Sequence, residues 1–247
     1  MILLFSDFGH AGPYVGEVLA VLARAAPGVP AIVLQNDAPV FRPVLAAHLL
    51  AALAARQPPG TVFLAVVDPG VGTATRQPVV MRADGRWFVG PDNGLLHVLA
   101  ARATARERFL IRWRPGSLAA SFHGRDLFAP VAARLALGET PPAIGCERLP
   151  YRAGELDGAD ADLPCVIYAD AYGNAMTGLR AVGLAADARL EAGGQRLARV
   201  PVFGALPPGA AGWYENSLGL AEIAVNQGSA CQLLGLKPGD PISLVTD

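Results

Sequence analysis

The sequence predicts an α/β domain with a mostly parallel sheet, followed by a smaller β domain. Two observations carry this. Over residues 1–140, short continuous apolar runs alternate with longer runs of helical period, the pattern of strands buried on both faces with helices packed against them. Beyond about residue 163 the helical runs give way to short strands separated by Gly and Pro turns, as in small β domains.

The elements follow in order. "ILLF" (2–5) reads as the first strand, because it has no basic leader before it and no small-residue cleavage site after it. "YVGEVLAVLARAA" (14–26) is an apolar-periodic helix stopped by Pro27 and Gly28. "AIVL" (31–34) is a strand, and "PVLAAHLLAALAA" (43–55) a core helix that starts on Pro43 and is too short to span a bilayer. "TVFLAVV" (61–67) is a buried strand. "PVVMRA" and "RWFVG" form a hairpin around Asp84-Gly85, a pair that favours a two-residue turn. "DNGLLHVLAARA" (92–103), with Asp92 as its cap, and "GRDLFAPVAARLAL" (124–137) are further helices. The aperiodic Pro, Gly and Asp mixture that follows reads as a linker. The expected division is residues 1–145, a linker at 146–162, and a β domain at 163–247 with strands in "CVIYAD", "AMTGLRAV", "ARLEAG", "RLARVPVF", "LAEIAV" and "PISLVTD".

Composition narrows the function. The chain has 247 residues, 52% hydrophobic and 17% charged, with a formal net charge of −1; that is a globular composition, with no basic stretch suited to nucleic acid or an anionic membrane. Lys237 is the single lysine, and the excess of Arg, Ala, Gly and Pro reads as compositional bias. Cys146, Cys165 and Cys231 are scattered. They give neither a disulfide framework nor zinc spacing, which points to buried, reduced thiols in a cytoplasmic protein.

Against this background the titratable residues stand out. "SFHGRDLFAP" (121–130) sets His123, Arg125 and Asp126 within four positions, and "VVDPGVGTATR" (66–76) places Asp68 at a strand end and Arg76 after a Gly-rich turn. Ligands of open α/β sheets bind beyond such strand ends. Asp7 holds the equivalent place after the first strand, and two such carboxylates suit a diol such as a ribose; alternatively each caps its own turn. His123 has a chemical role if Asp68 and Arg76 meet it at one rim of the sheet. Walker, dinucleotide, nucleophile-elbow and paired-histidine motifs are missing. An Asp, Arg and His set without a protein nucleophile leaves activation of a water, because a cation and a histidine favour its hydroxide form. In the β domain, "DAYGN" (170–174) groups Asp170, Tyr172 and Asn174, and "YENSLG" (214–219) adds Asn216 and Ser217. These are ordinary turns one by one; as a group they form a polar rim where an aromatic stacks on a flat ring and a carboxylate meets an amine.

"SDFG…YVGEV", "VVDPGVGT", "FVGPDNGLL", "SFHGRDLFAPVAARLALG", "DAYGN" and "NSLGLAEIAVNQGSA" run in this order over nearly the whole chain. The sequence resembles the S-adenosyl-L-methionine (SAM) hydroxide adenosyltransferases, the SAM hydrolases related to the SAM-dependent fluorinase and chlorinase. The resemblance implies a Rossmann-like N-terminal domain, a C-terminal β-barrel domain, and a homotrimer with SAM between the N-domain of one subunit and the C-domain of its neighbour. It implies that Asp68, Arg76 and His123 position a water or hydroxide that displaces methionine from ribose C5′, with no metal or further cofactor. It also implies that Asp7 holds the ribose hydroxyls, Asp170 and Ser217 the methionine end, and Tyr172 and Asn174 the adenosine, with the backbone near Val225 and Gln227 at the adenine edge. His123, which the halogenase relatives lack, favours the hydrolase. The alternatives are a halide adenosyltransferase and a non-catalytic trimer that binds SAM or adenosine. The chain departs from the family pattern at Thr75, where the family places the Arg that stands here one residue later. Further departures are Gly12, where the family often has Asp, "QND" at 35–37, and Thr177-Gly178.

Overall fold

The computed structural model describes residues 1–73 and 76–245. The chain divides into two compact units, Met1–Leu50 with Gln57–Asp160, and Ala51–Arg56 with Ala161–Asp247.

The first unit is built on a seven-stranded sheet of order β2-β1-β3-β5-β4-β6-β7. Its strands are β1 (Ile2–Ser6), β2 (Ala31–Gln35), β3 (Val62–Val66), β4 (Gln77–Ala83), β5 (Arg86–Asp92), β6 (Arg106–Ile111) and β7 (Cys146–Arg148). β1 pairs in parallel with β2 and β3, and β3 with β5, whereas the β5-β4-β6-β7 half is antiparallel. The sheet is thus parallel where the alternation of strands and helices is cleanest. β1 and β3 are buried at every position, which is why they read as continuous apolar runs.

Helices α1 (Tyr14–Ala25), α2 (Pro43–Ala55), α3 (His97–Arg102), α4 (Ala129–Ala136) and α5 (Pro141–Ile144) complete this unit's connections. The core packs Val18 and Leu22 of α1 and Val131, Ala132 and Leu135 of α4 against Ile2, Leu4, Leu64 and Val89 of the sheet. The expected hairpin forms, with Ala83 opposite Arg86 and positive φ at both Asp84 (45°) and Gly85 (79°), the backbone of a primed turn. Among the described residues no helix is long and apolar enough to cross a membrane.

The structure corrects several expectations. The helix expected from residue 92 begins only at His97, because β5 continues through Asp92. Residues 124–128 form a π-helical turn leading into α4. β6 is a strand whose apolar Phe109–Ile111 end is buried against β4, and β7, inside the stretch expected as linker, adds the last strand of the sheet. Cys146 is buried, while Cys165 and Cys231 are only partly so.

The second unit holds two antiparallel sheets. β12 (Ala211–Glu215), β13 (Leu220–Val225), β9 (Ala175–Arg180) and β8 (Leu163–Ala169) form one; β11 (Gln195–Ala198), β10 (Arg189–Ala192) and β14 (Ser243–Val245) form the other. The expected barrel is not a continuous ladder here. Among the described residues the edges of the two sheets are joined by isolated bridges, Cys165 with Pro241 at one seam and Arg199 with Trp213 at the other. Trp213, fully buried, donates its indole N–H to the Ala188 carbonyl at 3.0 Å. β12 and the short helix α6 (Ala230–Leu234) were not anticipated from the sequence.

Candidate active site

In the first unit the carboxyl ends of β1 and β3 lie side by side, with Ser6 opposite Val66. Asp7 and Asp68 therefore emerge at the same rim. β4 runs antiparallel to β5, so Arg76, which precedes β4, enters at that rim. Two close approaches bring in the loop carrying His123. Gly72 (φ 78°) lies so near the Ala120 carbonyl that a Cβ there would sit 2.3 Å from its oxygen, and a Cβ on Gly124 would meet the Phe8 ring at 2.9 Å. The Phe8 and Phe122 rings pack edge to face, 5.7 Å apart.

The sequence-predicted set converges. Arg76 donates from Nε to Asp68 Oδ1 at 3.0 Å, and its Nη2 lies 2.5 Å from Oδ2. The same Nη2 lies 3.1 Å from His123 Nδ1. A guanidinium has no acceptor, so Nδ1 accepts and the neutral ring carries its proton on Nε2. The guanidinium also sits over the ring of Phe128, the last residue of the π-helical turn, 5.5 Å from its centre. The Arg76 and Asp68 side chains are 5% and 4% exposed.

Burial pushes the Asp68 carboxyl upward, opposed by the charge and hydrogen bond of Arg76. Burial also raises Asp7, with the Phe41 N–H opposing and the negative charge of Asp68 adding to the rise. Phe41 N–H donates to Asp7 Oδ2 at 3.4 Å. His123 is driven below the usual histidine range, first by burial and then by the Arg76 cation, while Asp68 pulls the other way. The imidazole is therefore neutral at neutral pH. A fixed cation and a ring N–H are the groups that stabilise a hydroxide.

The neighbouring motifs serve structure. Arg125 pairs with Asp126 at 2.6 Å and with Glu17, and Asp126 accepts the Ala119 N–H at 2.9 Å. Asp92, expected as a helix cap, instead accepts from Arg108 at 3.1 Å. Asn93 was missed from the sequence: its amide donates to the Val67 carbonyl at 2.8 Å and fixes the strand end that presents Asp68. Asp92, His97 and Glu155 bring possible metal-ligand atoms within 4.8 Å of one another, but Arg108 already donates to both carboxylates. Thr75 lies outside the described residues. Gly12 takes φ 97°, a conformation that strains any side chain placed there.

The second unit carries an open cleft of about 940 Å³. All seven residues expected in this unit line it: Asp170, Tyr172, Asn174, Asn216, Ser217, Val225 and Gln227. Asp170 turns inward on its own loop, accepting from Tyr172 N–H and Asn174 N–H, both at 2.9 Å, and from Asn174 Nδ2 at 3.0 Å. Gly173 lets this loop rest on Ser229, where a Cβ would lie 2.0 Å from the hydroxyl. Tyr172 is 79% exposed at the rim.

Sequence reasoning missed Tyr214, Phe203 and Glu222 in the same wall. The Phe203 and Tyr214 rings pack edge to face, 6.0 Å apart. Glu222 accepts from the Tyr214 hydroxyl and, at 2.8 Å, from Asn216 Nδ2. A signal for it was present in "LAEIAV": one acid in a strand that is otherwise apolar.

Residues 2–145 match the model of the SAM hydroxide adenosyltransferase N-terminal domain, and residues 164–243 that of the C-terminal domain. A Thermus thermophilus protein named (R)-S-adenosyl-L-methionine hydrolase is 41% identical, over 99% of each chain. A Salinispora tropica protein of the same name is 39% identical over 95% of this chain and 94% of its own. A crystal structure of an uncharacterized conserved protein from Thermotoga maritima superposes with a TM-score of 0.86 at 32% identity, covering 99% of this chain and 100% of that one. One of a conserved hypothetical protein from Thermus thermophilus gives 0.75 at 40% identity, covering 99% of each. With both domain models matched in order and full-length relatives this close, the chain belongs to the SAM hydroxide adenosyltransferase family.

Proposed function

We propose that the protein hydrolyses SAM to adenosine and L-methionine, and that its substrate is the (R) sulfonium epimer named in its relatives. The observation that carries this reading is the buried Asp68–Arg76–His123 cluster, in which one guanidinium bridges a carboxylate and an imidazole nitrogen. The group holds no protein nucleophile, so the attacking atom is the oxygen of a water or hydroxide.

In this reading Arg76 and His123 Nε2–H hold the oxygen in its hydroxide form, and Asp68 fixes the direction of Arg76. Hydroxide forms a bond to C5′ as the C5′–sulfur bond breaks, and the pair of electrons leaves on sulfur. The leaving group is a neutral thioether, so no acid is needed and no cofactor enters; alignment and exclusion of bulk water supply the rate. Asp7 binds the ribose hydroxyls. Asp170 and Ser217 take the methionine end, Tyr172 and Asn174 the adenosine, and the backbone at Val225 and Gln227 the adenine edge.

The reading extends to a cytoplasmic homotrimer, in which the first unit of one subunit and the second unit of its neighbour share each SAM. It takes residues 1–145 and 163–247 as the two domains and the second as a barrel; the bridges at both sheet seams support the latter. The test is incubation with SAM in ¹⁸O-labelled water. Adenosine carrying the label at its 5′ oxygen is expected. SAM that stays intact, or a label found only in the methionine fragment, would overturn the proposal.

A further inference from the structure

Several buried and half-buried carboxylates elsewhere in the chain meet guanidinium groups: Asp68 with Arg76, Asp92 and Glu155 with Arg108, Asp126 with Arg125, and Glu139 with Arg134. The cleft of the second unit breaks this habit. Glu222 is only 3% exposed, yet its partners are two neutral donors, the Tyr214 hydroxyl and Asn216 Nδ2. Asp170 is likewise held by backbone and amide N–H groups alone. Among the described residues no Lys, Arg or His side chain lines the cleft; Arg56 approaches it only to donate to the backbone carbonyl of Ser217.

Neutral donors bring no opposite charge to a carboxylate. The two fields meet within the cleft. The Tyr214 hydroxyl is driven well above its usual range, first by burial, then by its bond to Glu222 and that group's charge, with Asp170 adding to the rise. Two unneutralised negative charges in a partly desolvated wall are costly unless the ligand supplies the opposite sign.

We propose that Glu222 is a specificity-determining residue that, with Asp170, selects a ligand of net positive charge. The inference rests on the reading of this cleft as part of the SAM site. In SAM the ammonium and carboxylate cancel and the sulfonium leaves a charge of +1. In S-adenosylhomocysteine, the corresponding thioether, the net charge is zero. The attraction acts on the ground-state cation and fades as the electron pair moves onto sulfur, so its loss raises KM and does not lower kcat.

Glu222→Gln isolates the charge. The glutamine carbonyl still accepts from Asn216, and the Tyr214 hydroxyl turns from donor to acceptor for the new amide. In the full-length enzyme this variant should raise the KM for SAM on the order of tenfold, with kcat and the inhibition constant of S-adenosylhomocysteine each within about twofold of the wild type. Equal weakening of both ligands, or of neither, overturns the proposal. The wild type gives an answer without the variant: calorimetric binding of S-adenosylhomocysteine as tight as that of SAM overturns it too. A wild type that binds SAM in preference to the thioether but forms no adenosine would refute the hydrolase reading and leave the charge selection standing.

Discussion

Replacing Arg76 by alanine probes the centre of the cluster. Arg76 and Asp68 are 5% and 4% exposed, so solvent does little to screen the charge left behind. Removing one partner of a buried ion pair costs about 3–5 kcal/mol, chiefly because the other charge stays buried without compensation. For a protein of this size that corresponds to a fall in Tm of roughly 6–20 °C. Activity should fall on the order of 10²–10³-fold, the usual effect of losing a donor to a developing or stored anion. Adding Asp68→Asn to Arg76→Ala removes the stranded carboxylate. The double variant should recover at least half of the lost stability and none of the activity. Thermal unfolding and adenosine formation, measured on both variants and the wild type, make the test. If Arg76→Ala melts with the wild type, or if the double variant is no more stable than the single one, the pair is not coupled as described. Undiminished turnover in Arg76→Ala would remove it from the chemistry.

Two further predictions concern the same rim. His123 is held below the histidine norm of about 6.5 by burial and by Arg76, and only the neutral ring accepts from Arg76. kcat/KM should therefore fall as pH drops through an apparent pKa below 6.5, with a limb that disappears in His123→Ala. Stability changes in the same sense. Below 6.5 the unfolded chain takes up the proton first, so the stability present above that pH is lost as pH falls toward the folded-state value. A limb centred at or above 6.5 would contradict the assignment. Gly72→Ala would place a methyl group 2.3 Å from the Ala120 oxygen at φ 78°. It should cost about 1–3 kcal/mol and, by shifting the His123 loop, about a hundredfold in activity; wild-type turnover in a folded Gly72→Ala would show that the two loops need not touch.

The sequence by itself determined the elements whose burial is written locally. α1 follows from an apolar face of helical period, and β1, β3 and α2 from continuous apolar runs, because such runs leave water on every side. The Asp84-Gly85 hairpin follows from a turn that needs positive φ twice. The ordered motifs also singled out Asp68, Arg76 and His123, which the fold brings into contact. What they could not carry was aim. Whether Arg76 reaches both Asp68 and His123 depends on loops that are 47 residues apart in the chain and are brought together by parallel register and by close packing at Gly72. Asp92 read as a helix cap because spacing shows only nearby partners, while its actual partner, Arg108, arrives from another strand. Glu222 was one acid in an apolar run. Only the fold placed it in a cleft whose described lining side chains include no cation, since charge compensation is settled by distances through space and leaves no period in the chain.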